Sequence, residues 1–442
     1  MTGSFDLILK GGTVMLPEGA ADVDVAVRDG RVAAIGSGLG GAAAEVDVSH
    51  LHVLPGVIDT QVHFREPGLE HKEDLTTGSL AAVLGGVTAV FDMPNTKPPT
   101  ISLDALINKQ MRASGRMWCD FAFFAGATAE NIDEIRMCEL LSWCAGVKMF
   151  MGSSTGDLLV DHEADMVRVL AGARRRVAVH CEDEARLRAR YRMVDRGAPV
   201  SRHPAWRDAR TALAATKRLL RLAEKAWQPV HVLHVTTAEE MELLARHRDL
   251  ATVEVTPQHL TLTAPECYER LGTLAQMNPP IRDKRHRAAL WQALTDGLVD
   301  CIGSDHAPHT LEEKARPYPQ SPSGMPGVQT LLPVMLDHVA AGRLSLARLV
   351  DLTSAGPARI YDIEGKGAIA VGLDADLTVV DLKTRRTVTR DAMASRCGWS
   401  PFEGMTLTGW PVMTVVRGCI VMRDGEAVGE PAGQSVRFRI SL

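Results

Sequence analysis

The central part of the chain, residues 55–365, alternates short apolar runs with longer helical stretches. We predict eight strands from these runs, at 53–63, 88–93, 120–126, 147–151, 177–180, 230–235, 252–256 and 301–304. Strands that alternate with helices favour a parallel sheet in an α/β protein, and eight such units over about 300 residues predict a TIM-like (β/α)8 barrel. A doubly wound open sheet is the alternative, but no Gly-rich dinucleotide turn follows an early strand.

The two ends of the chain share a different pattern. Residues 1–54 and 366–442 contain short β-branched runs separated by turns, including the Asp29-Gly30 and Asp424-Gly425 pairs. Asp-Gly between two such runs is typical of a hairpin. We therefore predict one small β-sheet domain formed from both termini, beside a barrel domain at 55–365. Two separate small sheets are the alternative.

Composition limits the classes of function. The 442 residues are 45% hydrophobic and carry a net charge of -5, with Lys and Arg dispersed, which argues against a nucleic-acid surface. No apolar run reaches about 18 residues, and the first residues lack a charged and apolar leader, so we expect no membrane span, no signal peptide and a cytoplasmic location. The eight cysteines are scattered without paired spacing and are expected to be reduced.

Residues 56–68 are predicted to include the first barrel strand and to end in a Pro-Gly stop. Because side chains alternate along a strand, Asp59, Gln61, His63 and Arg65 share one face. Burying a polar face is costly unless something binds it. A metal beside the imidazole and an anion beside the guanidinium would both serve. A solvated strand edge is the alternative, and the apolar start of the strand argues against it.

Residues that often bind metals recur at the ends of later predicted strands. They are Lys148, His180, His231, His234, Asp305, His306 and His309. A single histidine is more often a core or surface residue than a ligand, but the strand ends of a barrel converge on one face. Lys148 is unusual beside a metal because an ammonium is cationic. A lysine carboxylated by carbon dioxide would be an anionic ligand, and a salt-bridging lysine is the alternative.

Seven short motifs together resemble those of dihydroorotases of the amidohydrolase superfamily. They are DTQVHFREPG (59–68), MPNT (93–96), KMFM (148–151), HCED (180–183), HVLHVT (231–236), MNPP (277–280) and SDHAPH (304–309). The resemblance covers nearly the whole chain. It implies a TIM-like barrel, a zinc centre with one or two ions per chain, two being favoured, and the reversible hydrolysis of dihydroorotate to N-carbamoyl-aspartate in pyrimidine biosynthesis.

The resemblance also implies roles for individual residues. The implied metal ligands are His63, Lys148, His180, His234 and Asp305, with Lys148 as a carboxylated bridge. The implied substrate-binding residues are Arg65, Asn95 and His309 for the substrate carboxylate, and Asn278 for the pyrimidine ring. Asp305 is also the expected catalytic residue, which takes a proton from water and returns it to the leaving ring nitrogen.

Gln61 departs from the family pattern. It occupies the position of the first histidine in the usual His-x-His motif, and an amide oxygen is only a weak neutral ligand. The site is therefore binuclear with a weakened first metal, mononuclear, or inactive. We favour an active site because the other ligands are present.

Two further functions remain open. Hydantoinases and allantoinases share this scaffold, and KMFM and residues 400–405 would also suit them. The joint presence of Arg65, Asn95 and His309 favours an anionic substrate instead. An inactive dihydroorotase-like partner of aspartate transcarbamoylase is the other alternative.

We expect a small-molecule substrate, a homo-oligomer and possible association with aspartate transcarbamoylase. We expect no nucleic-acid or membrane partner. The Gly/Pro-rich segment at 321–328 is predicted either to close the site or to serve as a connector.

Overall fold

The protein is described from a computed structural model, which covers residues 5–154, 158–195 and 197–439. Within these ranges the strands are β1 (Phe5–Leu16), β2 (Gly19–Arg28), β3 (Arg31–Gly36), β4 (Ala42–Asp47), β5 (His52–Pro55), β6 (Val57–Val62), β7 (Val87–Asp92), β8 (Asp120–Gly126), β9 (Cys144–Phe150), β10 (Val177–His180), β11 (Val230–Val232), β12 (Ala251–Val255), β13 (Cys301–Ile302), β14 (Leu377–Thr387), β15 (Thr406–Val416), β16 (Cys419–Arg423) and β17 (Glu426–Ala427).

The α-helices of the same ranges are α1 (Leu75–Leu84), α2 (Leu103–Ala113), α3 (Ile132–Cys138), α4 (Glu163–Gly172), α5 (Glu184–Arg190), α6 (His203–Trp206), α7 (Ala209–Ala226), α8 (Ala238–Leu244), α9 (Pro257–Thr261), α10 (Glu266–Leu271), α11 (Lys284–Thr295), α12 (Leu311–Lys314), α13 (Leu331–Ala340), α14 (Leu346–Val350) and α15 (Gly356–Ile360). Short 3₁₀ turns cover Tyr191–Met193, Val200–Arg202, Gly272–Ala275 and Arg390–Ala392, and a π turn covers Asp351–Ala355. None of the described helices is both long and apolar enough to cross a membrane.

Strands β6 to β13 form a parallel sheet in sequential order, with helices between them. The sheet closes on itself where the His63 amide donates a 2.8 Å hydrogen bond to the His306 carbonyl, beside a parallel bridge between Val62 and His306. Buried apolar residues lie between the strands and the surrounding helices. The predicted TIM-like barrel is confirmed.

The strand predicted at 53–63 is wrong as a single strand. His52–Pro55 pairs with β1 and β14 in the other sheet, and the first barrel strand begins at Val57. Gly56 lies at the change of sheet, where an added Cβ would lie 2.3 Å from Thr88 Oγ1. Because residues on both sides of Gly56 are buried, the apolar pattern does not mark the change.

The second sheet is mixed and contains nine strands from the described parts of both chain ends. Strand β5 pairs antiparallel with β14, so the two termini share one sheet, as predicted, and the alternative of two separate sheets is wrong. After β17 the chain returns to the barrel. There the ring centroid of Phe438 lies 5.3 Å from that of Phe91, in a cluster of buried residues from several barrel strands. We keep the domain boundaries at 54/55 and 365/366 as a proposal.

Candidate active site

A cavity at the carboxyl ends of the barrel strands brings together most of the predicted site residues. Its lining residues are Gln61, His63, Arg65, Asn95, Lys148, Phe150, Ser154, His180, His234, Asn278, Asp305, Ala307, Ser323 and Gly324. His234 and Asp305 follow the ends of β11 and β13 with φ of 38° and 43°, in the left-handed region. Because a strand cannot continue through such a backbone, β11 ends before the predicted residue 235. Strand β13 is also shorter than predicted and ends at Ile302, before Asp305 is reached.

His63 and Asp305 form the first of two pairs of potential metal ligands. Asn95 Oδ1 lies 2.7 Å from His63 Nδ1 and can only accept, so Nδ1 carries the hydrogen and Nε2 keeps a lone pair. That lone pair faces Asp305 Oδ1 at 3.2 Å. Two acceptors at this distance repel unless a proton or a cation lies with them. The separation is close to the distance of about 3.3 Å expected for two ligands on a tetrahedral zinc ion.

His180 and His234 form the second pair. His180 Nε2 donates to Glu182 Oε2 at 3.0 Å, so its Nδ1 keeps a lone pair. His234 Nε2 lies 3.0 Å from this Nδ1. Burial lowers the pKa of both histidines, and the nearby Lys148 ammonium lowers them further. Neutral imidazoles are the form that binds a metal.

Lys148 lies near both pairs. Burial lowers the pKa of its ammonium to about 7, although the Asp305 carboxylate raises it. No carboxylate of the described residues lies within ion-pair distance of Lys148, which argues against the salt-bridge alternative. An uncharged amine is the form that reacts with carbon dioxide, so this environment suits a carboxylated lysine.

Arg65 is a buried cation that faces the cavity. Its Nε donates to the Pro308 carbonyl at 3.2 Å, but its Nη1 is buried without a hydrogen-bond partner among the described residues. Among the described residues, no carboxylate forms an ion pair with the Arg65 guanidinium. A buried guanidinium with an unsatisfied donor is costly unless a ligand supplies the missing anion.

His309 does not line the cavity, although the resemblance assigns it to the substrate carboxylate. Its Nε2 lies 3.0 Å from the Ser323 carbonyl and 3.3 Å from Arg65 Nη2, and its Nδ1 lies 3.2 Å from Lys72 Nζ. The Trp399 indole donates to its carbonyl oxygen at 2.8 Å. Because the Ser323 carbonyl only accepts, Nε2 carries the hydrogen and cannot accept one from Arg65. The imidazole therefore packs against the guanidinium without a hydrogen bond, and it does not line the cavity.

Sequence reasoning missed several residues of the site. Glu182 orients His180 and lies within the HCED motif, two residues after the ligand, where a search for partners of His180 would find it. Buried Lys314 donates to the carbonyls of Gln276, Pro322 and Gly324 at 2.9–3.0 Å. These bonds hold the 321–328 segment against the site, which favours the closing loop over the connector.

The described residues contain two other clusters of acidic, His or Cys side chains whose potential ligand atoms lie close together. His231 belongs to one of them, with Glu254 and Cys301, and it does not line the cavity. Asp120, Asp374 and Asp376 form the other cluster, and the Lys366 ammonium makes ion pairs with all three carboxylates. That cluster therefore already contains a cation.

The comparison with known proteins agrees with this barrel. Residues 52–421 match the model of the Amidohydrolase family. The chain belongs to the amidohydrolase family. Among its relatives in that family, a dihydroorotase of Halobacterium salinarum is 38% identical over 416 residues, which cover 94% of this chain and 96% of the relative.

Hydantoinases of the same family are also similar. An L-hydantoinase of Paenarthrobacter aurescens is 33% identical over an alignment of 453 positions, which covers 98% of each chain. The solved structure of an L-hydantoinase (dihydropyrimidinase) from Arthrobacter aurescens superposes with a TM-score of 0.93 at 33% identity, over 98% of this chain and 100% of that chain. This member of the amidohydrolase family is a cyclic amidohydrolase, and its cavity is consistent with a metal-dependent reaction.

Proposed function

We propose that the protein is a dihydroorotase, which hydrolyses the cyclic amide of dihydroorotate reversibly to N-carbamoyl-aspartate in pyrimidine biosynthesis. The buried Arg65 guanidinium carries this proposal, because Arg65 lines the cavity and its Nη1 has no hydrogen-bond partner among the described residues. A substrate carboxylate would supply the missing acceptor and the missing charge, and a planar guanidinium binds a carboxylate in a fixed orientation. Dihydroorotate has such a carboxylate, whereas an unsubstituted hydantoin ring does not.

The proposed metal ligands are His63, Lys148, His180, His234 and Asp305. Each of the two pairs would hold one divalent ion, and carboxylated Lys148 would bridge them, so two zinc ions per chain are favoured over one. When bound, zinc would polarise the ring carbonyl and lower the pKa of water toward neutrality.

Asp305 is proposed as the residue that moves the proton. Burial raises the pKa of its carboxyl group to about 7, against the opposing effect of the Lys148 ammonium. A group with a pKa near the working pH can both accept and return a proton. Asp305 would accept the proton of the attacking water and donate it to the ring nitrogen as the amide bond breaks.

The remaining predicted residues would orient the ring. Arg65 would bind the substrate carboxylate, with Asn95 beside it in the cavity wall. His309 would limit the movement of Arg65 by packing against its Nη2, without a hydrogen bond. Asn278 would face the ring from another part of the wall. Holding the ring in one orientation places the reacting carbonyl against the ligand set.

A hydantoinase is the second candidate, because the L-hydantoinase structure superposes over nearly the whole of both chains. Allantoinase activity and an inactive partner of aspartate transcarbamoylase remain weaker alternatives. The cytoplasmic location, the homo-oligomer and an association with aspartate transcarbamoylase stay predictions.

The experiment is to measure turnover of dihydroorotate, hydantoin and allantoin by the purified chain, together with its zinc content. We expect dihydroorotate to have the highest kcat/KM and zinc to co-purify. Preference for either other ring would replace the proposed substrate. A metal-free chain without turnover of any ring would instead support the inactive partner.

A further inference from the structure

A buried chain of hydrogen bonds leads from Tyr318 through His203 to Asn278. His203 begins α6 and is fully buried. Its Nε2 lies 2.9 Å from the Met277 carbonyl and 3.0 Å from Asn278 Oδ1, and its Nδ1 lies 3.1 Å from Tyr318 Oη. Neither His203 nor Tyr318 lines the cavity, but Asn278 does.

The positions of the hydrogens in this chain follow from the types of atoms. A backbone carbonyl only accepts, so the His203 Nε2 that faces Met277 must carry the hydrogen. The Asn278 atom beside the same Nε2 must therefore be its carbonyl oxygen. In a neutral imidazole the other nitrogen accepts, so Tyr318 donates its hydroxyl hydrogen to Nδ1.

Burial and the nearby Arg207 guanidinium agree with a neutral ring, because together they lower the pKa of His203 to about 3. The imidazole then carries one hydrogen at neutral pH, and Met277 and Asn278 share it.

With its oxygen turned to His203, Asn278 directs its NH₂ group the other way. Asn278 Nδ2 lies 3.4 Å from Ser154 Oγ, and both residues line the cavity. We propose that His203 and Tyr318 are positioning residues, which hold Asn278 so that it offers an N–H donor to a carbonyl oxygen of the ring and disfavours a ring N–H at that place. This rests on the proposed function only in requiring a cyclic amide substrate.

The first test compares two substitutions of Asn278. Asn278→Ala removes the donor and should raise KM about 10-fold, the effect of one lost hydrogen bond, with a smaller change in kcat. Asn278→Asp replaces the donor with a charged acceptor and should raise KM more than Asn278→Ala does. If Asn278→Asp binds substrate better than Asn278→Ala, Asn278 offers its oxygen to the ring and the proposal is wrong.

The second test asks whether Tyr318 acts through Asn278. Tyr318→Phe removes only the hydroxyl group and should raise KM several-fold, since His203 Nδ1 then loses its hydrogen-bond donor and the imidazole is held at one end only. In an Asn278→Ala background, Tyr318→Phe should have no further effect on KM. Additive effects would show that Tyr318 affects the site by another route and would overturn the proposed chain.

A matched control separates this role from general stability. His338 is another buried histidine, bonded to Thr261 and Arg343 and absent from the cavity wall. His338→Leu should lower the melting temperature without raising KM. His203→Leu should lower the melting temperature and also raise KM. His203→Gln retains an N–H donor, so it should restore much of the affinity lost in His203→Leu.

These kinetic tests use whichever cyclic amide the wild type hydrolyses, since dihydroorotate and hydantoin rings both have carbonyl oxygens. Lack of dihydroorotate turnover would therefore contradict the proposed function but not the hydrogen-bond chain. The ¹⁵N NMR shifts of His203 need no turnover at all. We expect a neutral ring protonated at Nε2 in the wild type, and a ring protonated at Nδ1 would overturn the inference.

Discussion

Gln61 Nε2 donates a 3.1 Å hydrogen bond to Asp305 Oδ1, the same carboxylate oxygen that faces His63 Nε2. The other end of the amide, Gln61 Oε1, is buried without a hydrogen-bond partner among the described residues. In this orientation the amide offers a donor where a metal ligand must offer a lone pair. Turning it to bind a metal would break the bond to Asp305. The first metal position should therefore be the weaker one.

Gln61→His should strengthen that position, because an imidazole nitrogen is a better zinc ligand than an amide oxygen. The measurement is zinc per chain after mild chelation, and the variant should retain more than the wild type. Gln61→Leu is the control, because it cannot bind a metal and should retain no more than the wild type. Two ions held equally well by the wild type would contradict the weakness inferred from Gln61.

Lys148→Ala should lower zinc content and activity together, because it removes the proposed anionic bridge. Short carboxylic acids should restore part of both by supplying a carboxylate in the same place. Lys314→Met is a matched control for zinc content, since Lys314 is equally buried and its pKa is also lowered to about 7 by burial, yet it lies outside the ligand set. This variant should retain the zinc of the wild type. Unchanged zinc content in Lys148→Ala would show that Lys148 is not a bridging metal ligand.

Asp305→Asn should reduce kcat by about 10² to 10⁴, the usual contribution of a general acid and base. The amide keeps the size of the side chain but cannot accept the proton. Zinc content of the same variant distinguishes a lost proton acceptor from a lost metal. A variant with the wild-type kcat would exclude Asp305 from proton transfer.

Glu182→Gln should destabilise the protein near neutral pH and weaken metal binding. Burial alone would raise the pKa of Glu182, but Arg207 and His180 lower it from 4.5 to about 2. Its carboxylate therefore stabilises the fold above pH 4.5, and this contribution is lost as the pH falls to about 2. Breaking a buried pair costs about 3–5 kcal/mol, and losing a partner of a ligating histidine weakens metal binding about 10- to 100-fold.

The measurement is urea unfolding of the metal-free wild type and Glu182→Gln across this pH range. The difference in unfolding free energy should shrink as the pH falls from 4.5 toward 2. Glu163→Gln, in an exposed pair with Arg221, should change stability little at any pH. A difference for Glu182→Gln that does not depend on pH would contradict the assigned charge.

The barrel could be predicted from the alternation of apolar runs and helical stretches, because eight such units have few other ways to bury their strands. The cavity could be located for a related reason, since His180 ends one of the parallel strands and Asp305 follows another, and these strand ends converge. The change of sheet at Gly56 could not be predicted, because it depends on close contacts with Thr88 and Asp376 from distant parts of the chain.

The position of His309 against Arg65 depends in the same way on tertiary contacts. A motif shows that the two residues belong to one site, but their order around the cavity depends on Ser323, Lys72 and Trp399, which lie in other segments. The hydrogen bonds of buried Lys314 could not be predicted either, because a lysine that donates only to backbone carbonyls has no sequence pattern.

The most direct test of the account is the kcat/KM of the wild type and Arg65→Met for two substrates, dihydroorotate and dihydrouracil, which share a ring but differ in the carboxylate. We predict that the wild type prefers dihydroorotate. Arg65→Met should lose at least about 30-fold on dihydroorotate, since truncating one partner of a buried charged pair costs about 2–5 kcal/mol. It should leave dihydrouracil nearly unchanged. A wild type that hydrolyses dihydrouracil as well as dihydroorotate, with Arg65→Met lowering both equally, would contradict the account.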